Sequence, residues 1–238
     1  MGLSTEERSQ AATAIDRDGF AITPPVIPQL TVDRVTAELA GLTDPAPVRG
    51  GIRNLLEISP ATRELAASAA VRSVAEAVLG VHCFAVRAIL FDKTPGANWK
   101  VVWHQDLTIA VRDRAAAAGF GPWSEKAGVT HVQPPIEVLE RMLAVRVHLD
   151  ECGVDNGPVR VLPGSHRVGR LSATGIEAWR GAAPFVDCLA ERGAIVAFRP
   201  LILHASSQAT TASHRRVVHI DFAAEELPDP VEWYERVA

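Results

Sequence analysis

From residue 82 to 222 the chain is divided into short runs rich in β-branched and aromatic residues. Each run has the length of a strand, and turn signals such as Pro95-Gly96 and Asn156-Gly157 separate them. A succession of short strands and turns is typical of a β-sandwich or barrel. The predicted strands are 82–91, 99–104, 143–149, 159–162, 185–189, 194–198, 201–204 and 216–222.

The segment from Leu143 to Leu149 shows the clearest strand period. Its apolar residues occupy every second position, whereas Arg146 and His148 lie between them. Successive side chains of a strand point to opposite faces, so this strand should bury one face and present polar groups on the other.

The first third of the chain predicts helices instead. Ser4 and Glu7 have the spacing of a capping box, Thr31 can cap a second helix, and Ser59-Pro60 can begin another with a break near Ala70. An extended segment at 20–26 and a loop at 45–51 separate them. We expect one domain over 1–238, mostly β with flanking helices: a helical part at about 1–80 and a β core at about 82–223.

Composition excludes several functional classes. A net charge of -4 with scattered basic residues argues against nucleic-acid binding, and no apolar run is long enough to predict a membrane span. The three cysteines, Cys83, Cys152 and Cys188, form no CxxC pair, so we interpret them as reduced structural thiols. With no apparent signal peptide, the sequence predicts a cytoplasmic protein.

His104-Gln105-Asp106 ends a predicted strand and is the first candidate for chemistry. Residues i and i+2 share a face, so an imidazole and a carboxylate can reach one metal. A distant histidine would complete a 2-His-1-carboxylate set, which leaves about three coordination positions open and suits Fe(II). Among the other histidines His204 is the best candidate, because it ends the apolar run Leu201-Ile202-Leu203 before a polar loop.

Three segments in order give the chain a specific resemblance. They are WHQD at 103–106, NGPVRVLPGSH at 156–166 and RPLILHASSQATTASHRR at 199–216. Over residues 82–223 the chain resembles the phytanoyl-CoA dioxygenase family of Fe(II)/2-oxoglutarate oxygenases. The resemblance implies a double-stranded β-helix, a cupin-like jelly roll with flanking helices.

The same resemblance implies roles for individual residues. His104, Asp106 and His204 would bind iron, and Arg215, eleven residues after His204, would hold the distal carboxylate of 2-oxoglutarate, with Ser206 assisting. Arg216 is the rival of Arg215, but only one of two neighbouring strand residues can point inward.

The resemblance also implies that O2 and 2-oxoglutarate would be consumed while a small molecule is oxidised, by default through hydroxylation. Arg87 lies on the predicted strand that precedes the metal motif, and its side chain could reach cosubstrate or substrate. The alternative is a position on the protein surface.

Two other functions and one structural question stay open at this stage. The same ligands could hold Zn²⁺ in a cupin-type isomerase or hydrolase, or the jelly roll could be a catalytically silent binding protein. Residues 107–140 show no clear strand period; we predict a lid or wall over the site, the alternative being a packed helical insertion. The sequence assigns neither the substrate nor the oligomeric state.

Overall fold

The computed structural model describes residues 2–43, 51–211 and 214–238 of the chain. Helices precede the main strands, as predicted, and short 3₁₀ turns lie at Val154–Asn156 and Ser165–Val168. The α-helices are α1 (Thr5–Asp18), α2 (Gln29–Thr43), α3 (Leu55–Ile58), α4 (Pro60–Ala67), α5 (Ala69–Leu79), α6 (Ile136–Glu140) and α7 (Ala173–Ala182).

The strands form three antiparallel sheets, with orders β1-β10-β7-β12-β2, β3-β11-β8-β9 and β4-β6-β5. The strands are β1 (Phe20–Ile22), β2 (Phe84–Lys93), β3 (Val101–His104), β4 (Ile109–Val111), β5 (Trp123–Lys126), β6 (Val129–Val132), β7 (Met142–His148), β8 (Val159–Val161), β9 (Val186–Cys188), β10 (Ile195–Phe198), β11 (His204–Ser206) and β12 (Arg215–Ala223).

The local signals of the helices act largely as predicted. Ser4 and Glu7 form a complete capping box, and Ser59 caps α4 with Pro60 at the first helical position. The predicted break falls at Ser68, whose side chain caps α5. The cap predicted at Thr31 is wrong, because α2 already begins at Gln29. The predicted loop at residues 45–50 lies outside the described residues.

Two apolar layers enclose the five-stranded sheet. On one face the helices pack against Leu143, Val145 and Val147 of β7. On the other face Ala144 joins a cluster that includes Val161 of the four-stranded sheet. The alternation predicted for β7 is therefore confirmed, and the polar members of its second face are directed into the space between the two sheets. No described helix is long and apolar enough to cross a bilayer.

Two strand predictions are wrong. The apolar residues Leu201, Ile202 and Leu203 are buried in a turn, and β11 begins only at His204. Burial explains this error, because a short apolar run can fill a core without strand geometry. Residues 107–140 do contain strands, β4, β5 and β6, followed by α6. These strands have only three or four residues, too few to show a period.

Candidate functional site

A pocket of about 280 Å³ lies between the two larger sheets. Its floor and walls come from β2, β7 and β12 of one sheet and from β3, β8 and β11 of the other. Thr108 and Lys126, from the segment that carries the three-stranded sheet, also line it. That segment therefore forms one wall of the pocket.

His104, Asp106 and His204 meet at this pocket. His104 and His204 are paired across β3 and β11, and the backbone N–H of Asp106 donates to the Pro200 carbonyl at 2.9 Å. Nε2 of His104 lies 3.7 Å from Oδ1 of Asp106, and Nε2 of His204 lies 3.5 Å from Oδ2. One donor atom of each residue lies within 4.8 Å of the others, a spacing that could hold a metal ion.

Hydrogen bonds orient both imidazoles toward the shared centre. Nδ1 of His104 lies 2.8 Å from the Val102 carbonyl, and Nδ1 of His204 lies 3.0 Å from the Ile202 carbonyl. A carbonyl only accepts, so each Nδ1 carries a proton, which leaves Nε2 as the nitrogen that can bind a metal. Burial lowers the pKa of His204 to about 4, so this ring is neutral at pH 7, as a metal ligand must be.

Arg215 and Ser206 lie together elsewhere in the same pocket. The Arg215 side chain is buried and donates through Nη1 to the Gly157 carbonyl at 2.6 Å. A side chain at Gly157 would come within 2.5 Å of the Ser207 carbonyl oxygen and 2.9 Å of Lys93 Nζ. The glycine of the NGP motif thus brings a carbonyl to Arg215 while leaving room for Lys93.

Lys93 is a residue that sequence reasoning missed. It is 1% exposed, and its Nζ donates to Ser206 Oγ at 3.0 Å and to the Ser207 carbonyl. Burial and the nearby Arg215 guanidinium lower its pKa to about 7. No ion pair with a carboxylate is formed by either Lys93 or Arg215 within the described chain. The buried Arg215 guanidinium, beside an amine that a bound anion would keep protonated, could hold an anion.

Arg216 points the other way. Its guanidinium makes a paired contact with the Asp150 carboxylate, at 2.8 Å and 2.7 Å, on the face of the sheet opposite the pocket. Only Arg215 lines the pocket. The strand geometry therefore separates the two arginines in the way the alternation of β12 predicts.

Arg87 lies in the pocket wall rather than on the surface. Its Nε donates to Asp221 at 2.6 Å, and the other oxygen of Asp221 lies 3.0 Å from His219 Nε2. Nδ1 of His219 in turn meets Arg146 Nη1 at 3.0 Å. This buried chain connects Arg87 to Arg146 across three neighbouring strands and fixes both guanidinium groups at the pocket.

The two-residue period of β2 would have identified several pocket residues that sequence reasoning missed. Arg87, Ile89, Phe91 and Lys93 alternate along β2, and all four line the pocket. Once Arg87 is assigned to the inner face, Lys93 follows from the spacing. Arg53 and Lys126 have no comparable signal, because only the tertiary structure brings their segments to the pocket.

We expect the free energy of unfolding of the wild type, relative to Lys93→Met, to increase with pH between about 7 and about 10. In this range the unfolded chain still holds the lysine proton, whereas the folded chain has released it, so a higher pH favours folding. The expected change is on the order of 3 kcal/mol, since each pH unit in this range contributes at most about 1.4 kcal/mol. Urea unfolding at several pH values without 2-oxoglutarate measures it.

A bound carboxylate should keep Lys93 protonated and flatten this pH dependence. Lys100→Met is the matched control, because Lys100 is exposed. Equal pH slopes for the wild type and Lys93→Met would show that Lys93 is protonated in the folded protein.

A jelly roll with two histidines and one carboxylate at the mouth of its inner pocket defines a class of mononuclear metal-centre proteins. The sequence profile of the phytanoyl-CoA dioxygenase (PhyH) family matches residues 15–217. The chain belongs to this family.

Relatives of known structure share its fold. The ectoine dioxygenase of Sphingopyxis alaskensis is 29% identical over 176 residues, which cover 67% of this chain but only half of that protein. The crystal structure of EctD from S. alaskensis in its apoform has a TM-score of 0.71 at 23% identity, covering 96% of this chain and 80% of that one. The epimerase SnoN from nogalamycin biosynthesis has a TM-score of 0.71 at 18% identity, covering 92% and 84%.

Proposed function

We propose that this chain is an Fe(II)- and 2-oxoglutarate-dependent dioxygenase that hydroxylates a small molecule. One observation carries the proposal: the donor atoms of His104, Asp106 and His204 converge in a pocket that also holds the buried, carboxylate-free cations Lys93 and Arg215. A metal site alone fits many reactions. A metal site combined with a buried anion site fits an enzyme that binds an acidic cosubstrate beside its metal.

The donor set fits Fe(II). Two neutral imidazoles and one carboxylate are the facial set found in non-haem Fe(II) oxygenases, and they leave coordination positions for other molecules. The hydrogen bonds to the carbonyls of Val102 and Ile202 hold both rings in the required tautomer. When bound, Fe(II) would supply O2 activation coupled to the oxidative decarboxylation of 2-oxoglutarate.

The protein's own residues would bind and orient the cosubstrate. Arg215 offers planar paired donors to the distal carboxylate, Lys93 adds a second charge, and Ser206 lies within hydrogen-bond distance of Lys93 Nζ. Arg87, held by Asp221, is placed to contact cosubstrate or substrate from another strand. Because these groups are fixed before binding, little side-chain entropy is lost when the cosubstrate enters.

The relatives support a small-molecule substrate and an iron-dependent reaction. Structures of EctD from S. alaskensis are described with bound Fe and with 2-oxoglutarate and 5-hydroxyectoine. We further propose that residues 1–238 act as one catalytic unit. Three free, buried cysteines support a reducing compartment, so the cytoplasm is part of the proposal.

Anaerobic titration with Fe(II) and then 2-oxoglutarate tests the proposal. We expect a weak visible charge-transfer band that needs both additions, followed on exposure to O2 by succinate in proportion to the 2-oxoglutarate consumed. A zinc-dependent isomerase or hydrolase would form neither the band nor succinate. A silent binding protein would bind without turnover. Absence of both signals in correctly folded protein would refute the dioxygenase assignment.

A further inference from the structure

We propose that the substrate carries an oxyanion, a carboxylate or a phosphate, which binds between Arg53 and Lys126 at the wall of the pocket. This inference rests on the proposed function and extends it to the chemical class of the substrate. We call Arg53 and Lys126 the outer cations.

The pocket is far more basic than the chain as a whole. Six Arg and Lys side chains line it but only one carboxylate, that of Asp106, although the chain has a net charge of -4. The Asp221 carboxylate, which does not line the pocket, pairs with Arg87 and neutralises its charge. Within the described residues, no ion pair joins Arg53 or Lys126 to any carboxylate. A partly buried charge without a partner is costly unless a ligand neutralises it.

Apart from Arg87, which pairs with Asp221, the cations of the pocket fall into two groups. Lys93, Arg146 and Arg215 influence one another, and burial with this mutual repulsion lowers the pKa of Lys93 and Arg146. Burial and the nearby Arg87 guanidinium likewise lower the pKa of both outer cations, and Arg53 adds to the effect on Lys126. Since 2-oxoglutarate has one carboxylate to offer beyond its metal-binding end, the first group suffices for it. The outer cations are therefore available to bind a second anion.

The turns that directly follow the outer cations lie against each other. Asn54 and Ala127 are the non-glycine residues with positive φ in the described chain, at 60° and 51°, and they directly follow Arg53 and Lys126. The Asn54 amide donates to the Ala127 carbonyl at 3.5 Å, so the two segments meet. Ala127 and Gly128 form the two-residue turn that joins β5 to β6, so the hairpin that carries Lys126 lies against the segment of Arg53.

Lys126 is also oriented toward the pocket, and its ammonium group has unused hydrogen-bond donors. Its Nζ donates to Thr108 Oγ1 at 2.9 Å, and both residues line the pocket. An ammonium group has three protons, so two remain for a ligand.

Calorimetric titration of the anaerobic Fe(II)–2-oxoglutarate complex with acetate and with inorganic phosphate tests the inference. We expect one anion to bind while the visible band persists, because the cosubstrate stays in place. Lys126→Gln and Arg53→Gln should each weaken binding about tenfold or more, which is the effect of one charge-assisted contact. The probe that binds more tightly identifies carboxylate or phosphate as the source.

Two further variants keep the test specific. Lys126→Arg retains the charge and should keep most of the affinity. Arg112→Gln, in the same segment but exposed and paired with Glu232, should bind like the wild type. No binding, or equal binding by the Gln variants, overturns the inference while the band still supports the dioxygenase. Absence of the visible band in the wild type would instead refute the proposed dioxygenase function, on which the inference rests.

Discussion

Asp106→Ala is expected to abolish 2-oxoglutarate turnover and to leave the fold intact. The carboxylate supplies one of only three protein donors at the proposed metal centre, and it is the only negatively charged one. Without it, two neutral imidazoles would bind Fe(II) weakly. The fold should tolerate the change, because the side chain is 27% exposed and its backbone N–H bond to Pro200 is retained.

Succinate release and anaerobic Fe(II) titration together measure this effect. Metal binding should weaken in parallel with turnover, whereas the melting temperature without metal should stay near that of the wild type. Asp187→Ala is the matched control: Asp187 lies in the sheet that contains His104 and His204, but it pairs with the partly exposed Arg160, an interaction of small energy. Succinate production by Asp106→Ala near the wild-type rate would refute the ligand assignment.

Arg215→Ala is expected to raise the KM for 2-oxoglutarate roughly ten- to a hundredfold, since a paired charge-assisted contact contributes about 1.5–3 kcal/mol. Arg216→Ala should raise it far less. The structure gives the reason: Arg215 is buried in the pocket, whereas Arg216 pairs with Asp150 on the opposite face of the sheet. The KM is measured by succinate release, and the affinity by anaerobic titration of the visible band.

The two arginine variants differ in a second way. Arg216→Ala loses a partly buried ion pair, so its effect should appear in stability rather than in cosubstrate affinity. Arg215→Ala removes one of two neighbouring buried cations, which relieves their repulsion. A larger effect on KM from Arg216 would mean that the last strand presents its other face to the cosubstrate.

Residues 107–140 contain the hairpin formed by β5 and β6, which limits the experiments that can test the role of this segment. The prediction of a wall over the site agrees with the positions of Thr108 and Lys126, while the role of the segment in selecting substrate remains a proposal. Deleting residues 115–130 would remove paired strands, so point substitutions at Lys126 are the sharper experiment. They change the charge of the wall without removing it.

The sequence by itself determined the elements that depend on local chemistry. The capping box at Ser4, the helix start at Ser59-Pro60 and the alternation of β7 follow from neighbouring residues alone. The His-x-Asp spacing, the NGPVRVLPGSH segment, the distal histidine and the arginine eleven residues later also predicted the family and the candidate metal site through their resemblance to the family pattern. The expected strand geometry holds only up to His104, because β3 ends there and Asp106 follows it.

Only the tertiary structure decided which distant segments share the pocket. Lys93 meets Ser206 across 113 positions of sequence, and the segment of Arg53 reaches the turn beside Lys126 across 73. No local pattern encodes such meetings, since they depend on how sheets pack and where a short hairpin folds back. Burial then gives these side chains their chemistry, because a lysine becomes a weak base only when packing removes its water and places another cation beside it.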